Sequence, residues 1–172
     1  MSDRSNNMDI CSIQCGSKCC KSTPPALTNE DFIRINKIIK NDRWYTIIES
    51  RQKNVKIVSK KNDTKDCFFL LDNGLCEIYD SRPLDCKLFP LFVKIKKQND
   101  NEYNVKWLVW YCPLTEKKGI DKLRDDSTKL LKSILSDNSK QIFEYQEAMF
   151  ISRGYKKKHF FKEECLKIGG VI

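Results

Sequence analysis

The cysteines are the residues of this chain whose type and spacing could do chemistry. Eight of the nine cysteines form two groups, and the first group is the dense run Cys11-Ser-Ile-Gln-Cys15-Gly-Ser-Lys-Cys19-Cys20. The second group is more widely spaced and consists of Cys67, Cys76, Cys86 and Cys112. Thiolates are soft donors for zinc and iron, and metal binding drives their deprotonation. The two groups therefore predict a soft-metal site.

The cellular compartment decides whether such cysteines bind metal or form disulfides. The first nine residues are polar and lack the apolar stretch of a secretion signal, and no apolar run is long enough to cross a membrane. We therefore expect a cytoplasmic protein. In a reducing cytosol, clustered cysteines bind metal or react more often than they crosslink, so a disulfide framework is the less favoured alternative. Cys165 stands alone and is expected to be a spare thiol.

Length and composition indicate one folded domain. The 172 residues are 40% hydrophobic and 32% charged, which is typical of a globular protein with a real core. No repeat or flexible linker marks a boundary, so we expect a single domain over residues 1–172. Within it, residues 11–113 form the cysteine-bearing metal-binding region, and residues 119–172 supply C-terminal helices and a basic tail.

The net charge of +9 invites comparison with nucleic-acid-binding proteins. The strongest patch, residues 153–162, interleaves lysines with aromatic residues that could stack on bases. Lysines are nevertheless spread along the whole chain, which favours a solvated basic surface. A metal ion is therefore the expected partner, rather than nucleic acid or a membrane, and a protein partner stays open.

The hydrophobic pattern predicts an α+β domain, in which helices pack on a modest antiparallel sheet and residues 1–20 form a cysteine-rich loop. Apolar residues at helical spacing predict a helix over 29–40 that begins after Thr28, a residue typical of helix N-caps. A second short helix is expected from Trp44 to Ile48, and a short strand from Val55 to Val58.

Turn and strand signals organise the second cysteine group. Asp72-Asn73-Gly74 predicts a turn between Cys67 and Cys76. Arg82-Pro83 begins a turn or short helix that carries Cys86 and stops at Pro90. Alternating runs over 91–95 and 103–111 predict a hairpin that Cys112-Pro113 ends. Beyond Gly119, two successive apolar stripes, 123–135 and 142–150, predict helices.

The number of thiols bears on the number of metal centres. Four thiolates complete one tetrahedral zinc site or one iron–sulfur cluster, so eight allow two sites, or one site plus reactive thiols. Neighbouring side chains diverge in an extended or loop segment, so we expect Cys19 and Cys20 to serve different centres, or one of them not to be a ligand.

The identity of the metal is less determined. No Cys-x2-Cys pair occurs, and the Cys112-Pro113 step is similar to the end of bacterial cluster-binding runs, which favours iron–sulfur slightly over zinc. Aromatic residues near the cysteines could shield a cluster from solvent, or they could be ordinary core residues. Both metals stay open.

Two stretches carry more specific motifs. The first is Cys15-Gly-Ser-Lys-Cys19-Cys20-Lys, followed by Leu27-Thr-Asn-Glu-Asp31, and the second reads Gly-x-Cys76-x-Ile-Tyr-x-x-Arg82-Pro83-x-x-Cys86-x-x-x-Pro90. Both resemble the CxxCxxCC (YkgJ-like) family of zinc- or iron-chelating proteins, over roughly residues 11–113. The chain departs from that pattern in the three-residue gaps between Cys11, Cys15 and Cys19.

The resemblance implies a ligand set and a cofactor. The implied metal ligands are Cys11, Cys15, Cys19, Cys20, Cys67, Cys76, Cys86 and Cys112. The implied cofactor is an iron–sulfur cluster, in particular [4Fe–4S], or zinc. Arg82 and Pro83 would support it, Arg82 by donating to cluster sulfur or to a buried carboxylate and Pro83 by fixing the turn. Exposed ion pairing is the alternative for Arg82.

Two functions follow. The first is a metal-binding protein in which clustered thiolates hold zinc or an iron–sulfur cluster for a structural, redox or metal-handling role; no nucleotide-binding loop occurs, and His159 stands alone. The alternative is a cluster-dependent enzyme, because the resemblance extends to the cysteine-rich part of flagellin lysine N-methylases. Whether the chain is an enzyme stays open, and no catalytic residue is assigned.

Overall fold

The computed structural model describes residues 7–22, 24–51, 53–153 and 159–168. Its helices are a π-helix Ile10–Gln14, α1 Lys18–Ser22, α2 Asn29–Asn36, α3 Leu84–Leu88, α4 Pro113–Lys118 and α5 Ile120–Arg153, together with two short 3-10 helices, Asp42–Trp44 and Tyr79–Ser81. Its strands are β1 Tyr45–Ile48, β2 Val55–Val58, β3 Leu91–Lys97, β4 Glu102–Val109 and β5 His159–Lys167. The architecture is mixed α+β, as the sequence predicts.

The strands form two antiparallel sheets rather than one. β1 pairs with β2, from Tyr45 opposite Val58 to Ile48 opposite Val55. The larger sheet has the order β3-β4-β5, in which the predicted hairpin places Leu91 opposite Val109, and β5 lies along the other side of β4. The hairpin thus places the end of β4, which leads into Cys112, next to the start of β3.

The main core lies between the three-stranded sheet and α5. Alternate residues of β4, including Val105 and Trp107, are fully buried and contribute to the same cluster as Leu131, Ile142 and Tyr145 of α5. Removing apolar surface of this size from water is the main favourable contribution to folding. The backbone of α5 leaves helical geometry at Asn138, with φ −155° and ψ 81°, so the two predicted stripes are two helical segments joined at a kink.

A second, smaller core lies on the side of the cysteines. It consists of Leu27, Ile35, Trp44, Val58, Phe69 and Ile78. The aromatic rings of Phe32, Trp44 and Tyr45 contact one another at centroid distances between 5.0 and 5.5 Å. Cys67 and Cys76 pack against this cluster, so their backbone rests on a formed apolar base.

Three expectations about local structure are wrong. The region around Cys11 to Cys20 is not a loop, because it folds into the π-helix and α1. Tyr45–Ile48 is a strand and not a helix, in keeping with its β-branched residues, and only Asp42–Trp44 before it is helical. The C-terminal segment contains β5 in addition to helices.

Other expectations are confirmed. Thr28 caps α2, which ends at Asn36 and is therefore shorter than the predicted span. The strand at Val55–Val58, the short helix that carries Cys86 and the 91–109 hairpin all form. Lys156, Lys157 and Lys158, which belong to the proposed basic patch, lie outside the described residues. Within the described ranges, no helix has the length and apolar character needed to cross a membrane.

Candidate metal centre

All eight cysteines of the two sequence groups line one cavity of about 650 Å³. They are Cys11, Cys15, Cys19, Cys20, Cys67, Cys76, Cys86 and Cys112. All eight are partly buried, whereas Cys165 is exposed on β5 and does not belong to the cavity wall. The fold thus brings together thiols separated by as many as a hundred residues in the chain. Whether they act as ligands stays a prediction.

The N-terminal cysteines are carried by two short helical segments. The π-helix closes through the Cys15 N–H, which donates to the Ile10 carbonyl at 3.0 Å, and the Ser17 N–H donates to the Cys11 carbonyl at 2.9 Å. In α1, Cys19 and Cys20 do not diverge as predicted, because their Sγ atoms are 3.9 Å apart. Two sulfur ligands of one tetrahedral zinc ion, each at ~2.3 Å, are also about 3.8 Å apart. The geometric argument for separating this pair is therefore wrong.

The turn between Cys67 and Cys76 holds the N-terminal segment in place. The Cys67 N–H donates to the Cys20 carbonyl at 2.7 Å, and the Ser17 hydroxyl donates to the Gly74 carbonyl at 2.6 Å. Gly74 has a φ of +79°, and a Cβ added there would lie 3.3 Å from both the Ser12 Cβ and the Ser17 Oγ. The Asn-Gly turn is thus needed both for its backbone angle and for close packing.

Replacing Gly74 by alanine should therefore cost more than replacing Gly16. Gly16 has a φ of +59° but open space around it, so Gly16→Ala carries only the cost of a left-handed backbone, about 1 kcal/mol. Gly74→Ala adds the crowding against Ser12 and should lower the free energy of unfolding by about 2 kcal/mol. Denaturant unfolding of both variants measures the difference. Equal losses would contradict the packing described here.

Cys86 is positioned by a buried carboxylate network. The Asp31 side chain is fully buried. Its two oxygens accept a hydrogen bond from the Leu84 N–H at 3.1 and 3.2 Å, and one of them also accepts from the Thr28 N–H at 3.1 Å. Its Oδ1 forms an ion pair with the Arg34 guanidinium at 2.6 Å. At the next residue of α3, the Asp85 carboxylate accepts the Ala26 N–H at 3.0 Å. These two carboxylates fix α3 against the segment that follows Cys20.

Arg82 and Pro83 both line the cavity. The Arg82 guanidinium lies 4.2 Å from the centre of the Tyr79 ring, an arrangement that holds the cation near the thiols. Pro83 precedes α3, and its carbonyl accepts the Cys86 N–H at 2.9 Å. Arg82 is therefore placed to balance thiolate charge, and Pro83 to orient Cys86.

Cys112 completes the wall from the far end of the hairpin. It is the N-cap residue of α4: its side chain accepts the Thr115 N–H, and the Thr115 hydroxyl in turn accepts the Cys112 N–H at 3.0 Å. α4 packs directly on the π-helix, which brings Cys112 close to the N-terminal cysteines. A helix N-terminus favours a negative side chain at this position.

The comparison with known protein families agrees with this geometry. A family model described as "Putative zinc- or iron-chelating domain" matches residues 10–113, which is 104 of the 172 residues. The chain belongs to the CxxCxxCC family. The matched region begins one residue before Cys11 and ends one residue after Cys112, so it spans all eight cavity cysteines. No solved structure matches the chain.

The cavity of this CxxCxxCC protein has a wall suited to charged sulfur. Lys18, Arg82, Lys87 and Lys118 lie in the wall, and so do the aromatic residues Phe69, Tyr79, Phe89, Phe92, Trp110 and Tyr111. The cations can offset the negative charge of several thiolates, and the rings limit contact with water.

In the part of the chain that the structure describes, no three Cys, His, Asp or Glu side chains converge closely enough to hold one metal ion.

Burial raises the pKa of most of the cavity thiols. It raises the pKa of Cys67 to about 11, and together with the charges of Cys19, Cys15 and Cys112 it raises the pKa of Cys11 to about 12. The pKa values of Cys76, Cys86 and Cys112 are also raised, with burial as the largest cause. Ligation to a metal ion must therefore displace protons from these thiols, and metal affinity should rise with pH.

Cys19 differs from the others. A hydrogen bond from the Cys20 thiol, aided by backbone N–H groups and by Arg82, lowers the pKa of Cys19 to about 7 against the opposing effect of burial. The same contact raises the pKa of Cys20. Cys19 is thus the cavity thiol that is half deprotonated at neutral pH.

Alkylation of the metal-free CxxCxxCC protein should reflect this difference. Because only the thiolate is nucleophilic, the rate at Cys19 should be half-maximal near pH 7 and reach a plateau above pH 8, whereas Cys20 should stay unreactive over that range. Pulsed iodoacetamide labelling with peptide mass spectrometry measures both rates. In Cys20→Ala, which removes the thiol donor, the midpoint for Cys19 should move to higher pH, and an unchanged midpoint would contradict the assignment.

Several residues that build the site were not identified from the sequence. In the sequence Asp31 stands out only as part of the Leu27–Asp31 motif, although its carboxylate also accepts a hydrogen bond from the N–H of Leu84, 53 positions later. Ser17 and Asp85 carried no signal, because their partners, Gly74 and Ala26, are brought close only by folding. One feature of the sequence could have pointed to Asp31 and Asp85. Each lies in a segment with buried apolar residues, and a buried carboxylate must find hydrogen-bond donors.

Proposed function

We propose that this protein uses the thiolates of its cavity to hold an iron–sulfur cluster, with zinc as the alternative metal, for a structural, redox or metal-handling role. The observation that carries the proposal is the presence of all eight family cysteines in the wall of one cavity. The donor set suits either metal, because both zinc and iron–sulfur clusters are bound by groups of four thiolates.

The size and lining of the cavity favour the cluster over a lone zinc ion. A [4Fe–4S] core adds four irons and four sulfides to the space between the thiols, and about 650 Å³ is room enough for such a group. Aromatic and basic residues in the wall would limit solvent access and supply hydrogen bonds or charge to sulfur, which are the means by which proteins tune such clusters. When bound, the cluster would supply electron transfer or structural crosslinking.

Anaerobic purification with metal analysis and visible absorption spectroscopy tests the proposal. We expect iron and acid-labile sulfide with broad visible absorption that reductant bleaches, whereas a zinc protein would be colourless. The matched variants are Cys76→Ser and Cys165→Ser, which remove a cavity thiol and an exposed thiol. Cys76→Ser should lose most of the metal bound at the site to which that thiol belongs, and Cys165→Ser should lose none. A wild-type protein that contains neither iron nor zinc would overturn the proposal.

A further inference from the structure

A surface groove of about 790 Å³ lies beside the larger sheet, apart from the thiol cavity. Its wall is formed by β3, β4, β5 and the part of α5 that follows the kink at Asn138. Among the described residues, the groove and the thiol cavity have no lining residue in common. A ligand in the groove would therefore be bound by side chains that the metal centre does not use.

Three lysines of the groove lie on one face of the sheet. Side chains alternate between the two faces of a strand, and Val105 and Trp107 are fully buried in the main core, so Lys106 lies on the opposite face. Lys94 is directly opposite Lys106 in the antiparallel register, and Lys96 is two residues further along β3. Like charges directly opposite each other are destabilising, so this pair would be stabilised by a bound anion.

The carboxylates of the wall do not cancel these charges. The wall contains four lysines and two glutamates, and two of these six residues pair with residues outside it. Lys97 pairs with Asp100 at 2.8 Å, and Glu147 pairs with Lys53 at 2.7 Å. What is left is three lysines against Glu163, which is a surplus of two positive charges. The groove is thus complementary to a ligand with several negative charges.

Two exposed aromatic rings accompany the lysines. Phe150 lies in the wall on the α5 side and is 60% exposed, and Phe160 on β5 is 57% exposed. The Lys106 Nζ lies 4.9 Å from the centre of the Phe160 ring, so this ring borders the groove. Single-stranded nucleic acids bind to basic grooves with aromatic side chains on which their bases stack. An acidic peptide would need the lysines, but it would have no use for exposed rings.

We propose that this groove binds single-stranded nucleic acid, with phosphates at Lys94, Lys96 and Lys106 and a base stacked on Phe160. Sheet faces that carry exposed aromatic residues are a common platform for single strands. The sequence places its strongest basic patch elsewhere, at 153–162, because the groove lysines come from two strands and become neighbours only through the hairpin register. The proposal does not depend on which metal the thiol cavity holds.

Fluorescence anisotropy of labelled single strands of about 12 nucleotides, with anaerobically prepared full-length protein, tests the proposal. Both DNA and RNA should bind, because neither phosphate contacts nor stacking distinguish the sugars. Three lysine–phosphate contacts should weaken binding roughly 20-fold between about 50 and 200 mM salt. An abasic strand of equal length keeps the charge but has no bases, so it should bind at least about fivefold more weakly. Failure of both strands to bind, or equal binding of the abasic strand, would overturn the proposal.

A matched pair of triple variants separates the groove from the overall positive charge. Lys94→Gln/Lys96→Gln/Lys106→Gln should bind at least about tenfold more weakly at low salt and lose most of the salt dependence. The control Lys37→Gln/Lys122→Gln/Lys132→Gln removes the same charge from exposed lysines outside the groove and should stay within about twofold of the wild type. Equal losses in the two variants would show that net charge, and not the groove, binds the strand.

Phe160→Leu distinguishes nucleic acid from an acidic protein segment. The change removes the ring but keeps an apolar side chain, so it should weaken binding of the normal strand at least about fivefold and leave the abasic strand unchanged. A labelled peptide of about ten aspartates is the competing ligand and should bind more weakly than the strands. If the peptide binds as tightly as the strands and Phe160→Leu affects neither ligand, the groove is a docking site for acidic protein segments and the proposal fails.

Discussion

Removing the bound metal is expected to unfold the π-helix and α1 and to leave the core between the larger sheet and α5 intact. Of residues 7–22, only Ile10 and Ser17 are buried, so apolar packing contributes little to holding this segment. The main core, in contrast, contains Trp107, Leu131 and Tyr145, all fully buried and none of them in the cavity wall. Metal ligation would therefore supply most of the local stability at the N-terminal end of the cavity.

Hydrogen exchange measured by mass spectrometry checks this prediction. A ligand at 100 times its dissociation constant contributes about 2.7 kcal/mol, so amides of 10–22 should exchange on the order of 100-fold faster after metal removal. Peptides from β3 and β4 serve as the internal control and should change little. Equal exchange of 10–22 in the loaded and metal-free states would show that the bound metal does not stabilise this segment.

Replacing Asp31 by asparagine is expected to be strongly destabilising. The carboxylate accepts hydrogen bonds from the Leu84 and Thr28 N–H groups with two oxygens, whereas an asparagine amide has only one oxygen that can accept. The amide also carries no negative charge to pair with the Arg34 guanidinium, which lies 2.6 Å from the Asp31 carboxylate. Each buried donor left without an acceptor costs roughly 1–3 kcal/mol, so we expect a loss of about 3 kcal/mol in the free energy of unfolding.

Glu30→Gln is the matched control for Asp31→Asn. Glu30 precedes Asp31 on α2, but it is exposed, and its Oε1 accepts one hydrogen bond, from Asn138 at 2.9 Å. A glutamine can still accept that bond, so a loss below about 0.5 kcal/mol is expected. Denaturant unfolding of both variants gives the comparison. If the two variants lose similar stability, the Asp31 network does not hold α3 as described.

Some elements could be predicted because their signals are local. The Thr28 cap and the apolar spacing of α2, the Asn-Gly turn and the alternating hairpin strands each depend on neighbours within a few residues. β5 could not be found in this way. Among the described strands it pairs with β4 alone, at the edge of the sheet, and Leu166 is the one buried residue among its nine, so no alternation marks it.

The N-terminal helices were missed for a different reason. The run of cysteines, glycine and serines has weak helical propensity and little apolar periodicity, so it reads as a loop. It is held by contacts with distant residues, such as the bond from Ser17 to Gly74 and that from Cys67 to Cys20. The Sγ atoms of Cys19 and Cys20 lie 3.9 Å apart in α1, so the expected loop also gave a wrong geometry for this pair.

The sequence by itself determined the residue types available for metal binding: eight thiols in two groups, within a stretch that matches the CxxCxxCC family. Residue type and short spacing are local properties, so they can be read directly. Only the tertiary structure decided that these thiols line a single cavity and which of them are neighbours. Proximity between Cys11 and Cys112, or between Cys20 and Cys67, depends on helix packing and long-range hydrogen bonds, which no local pattern specifies.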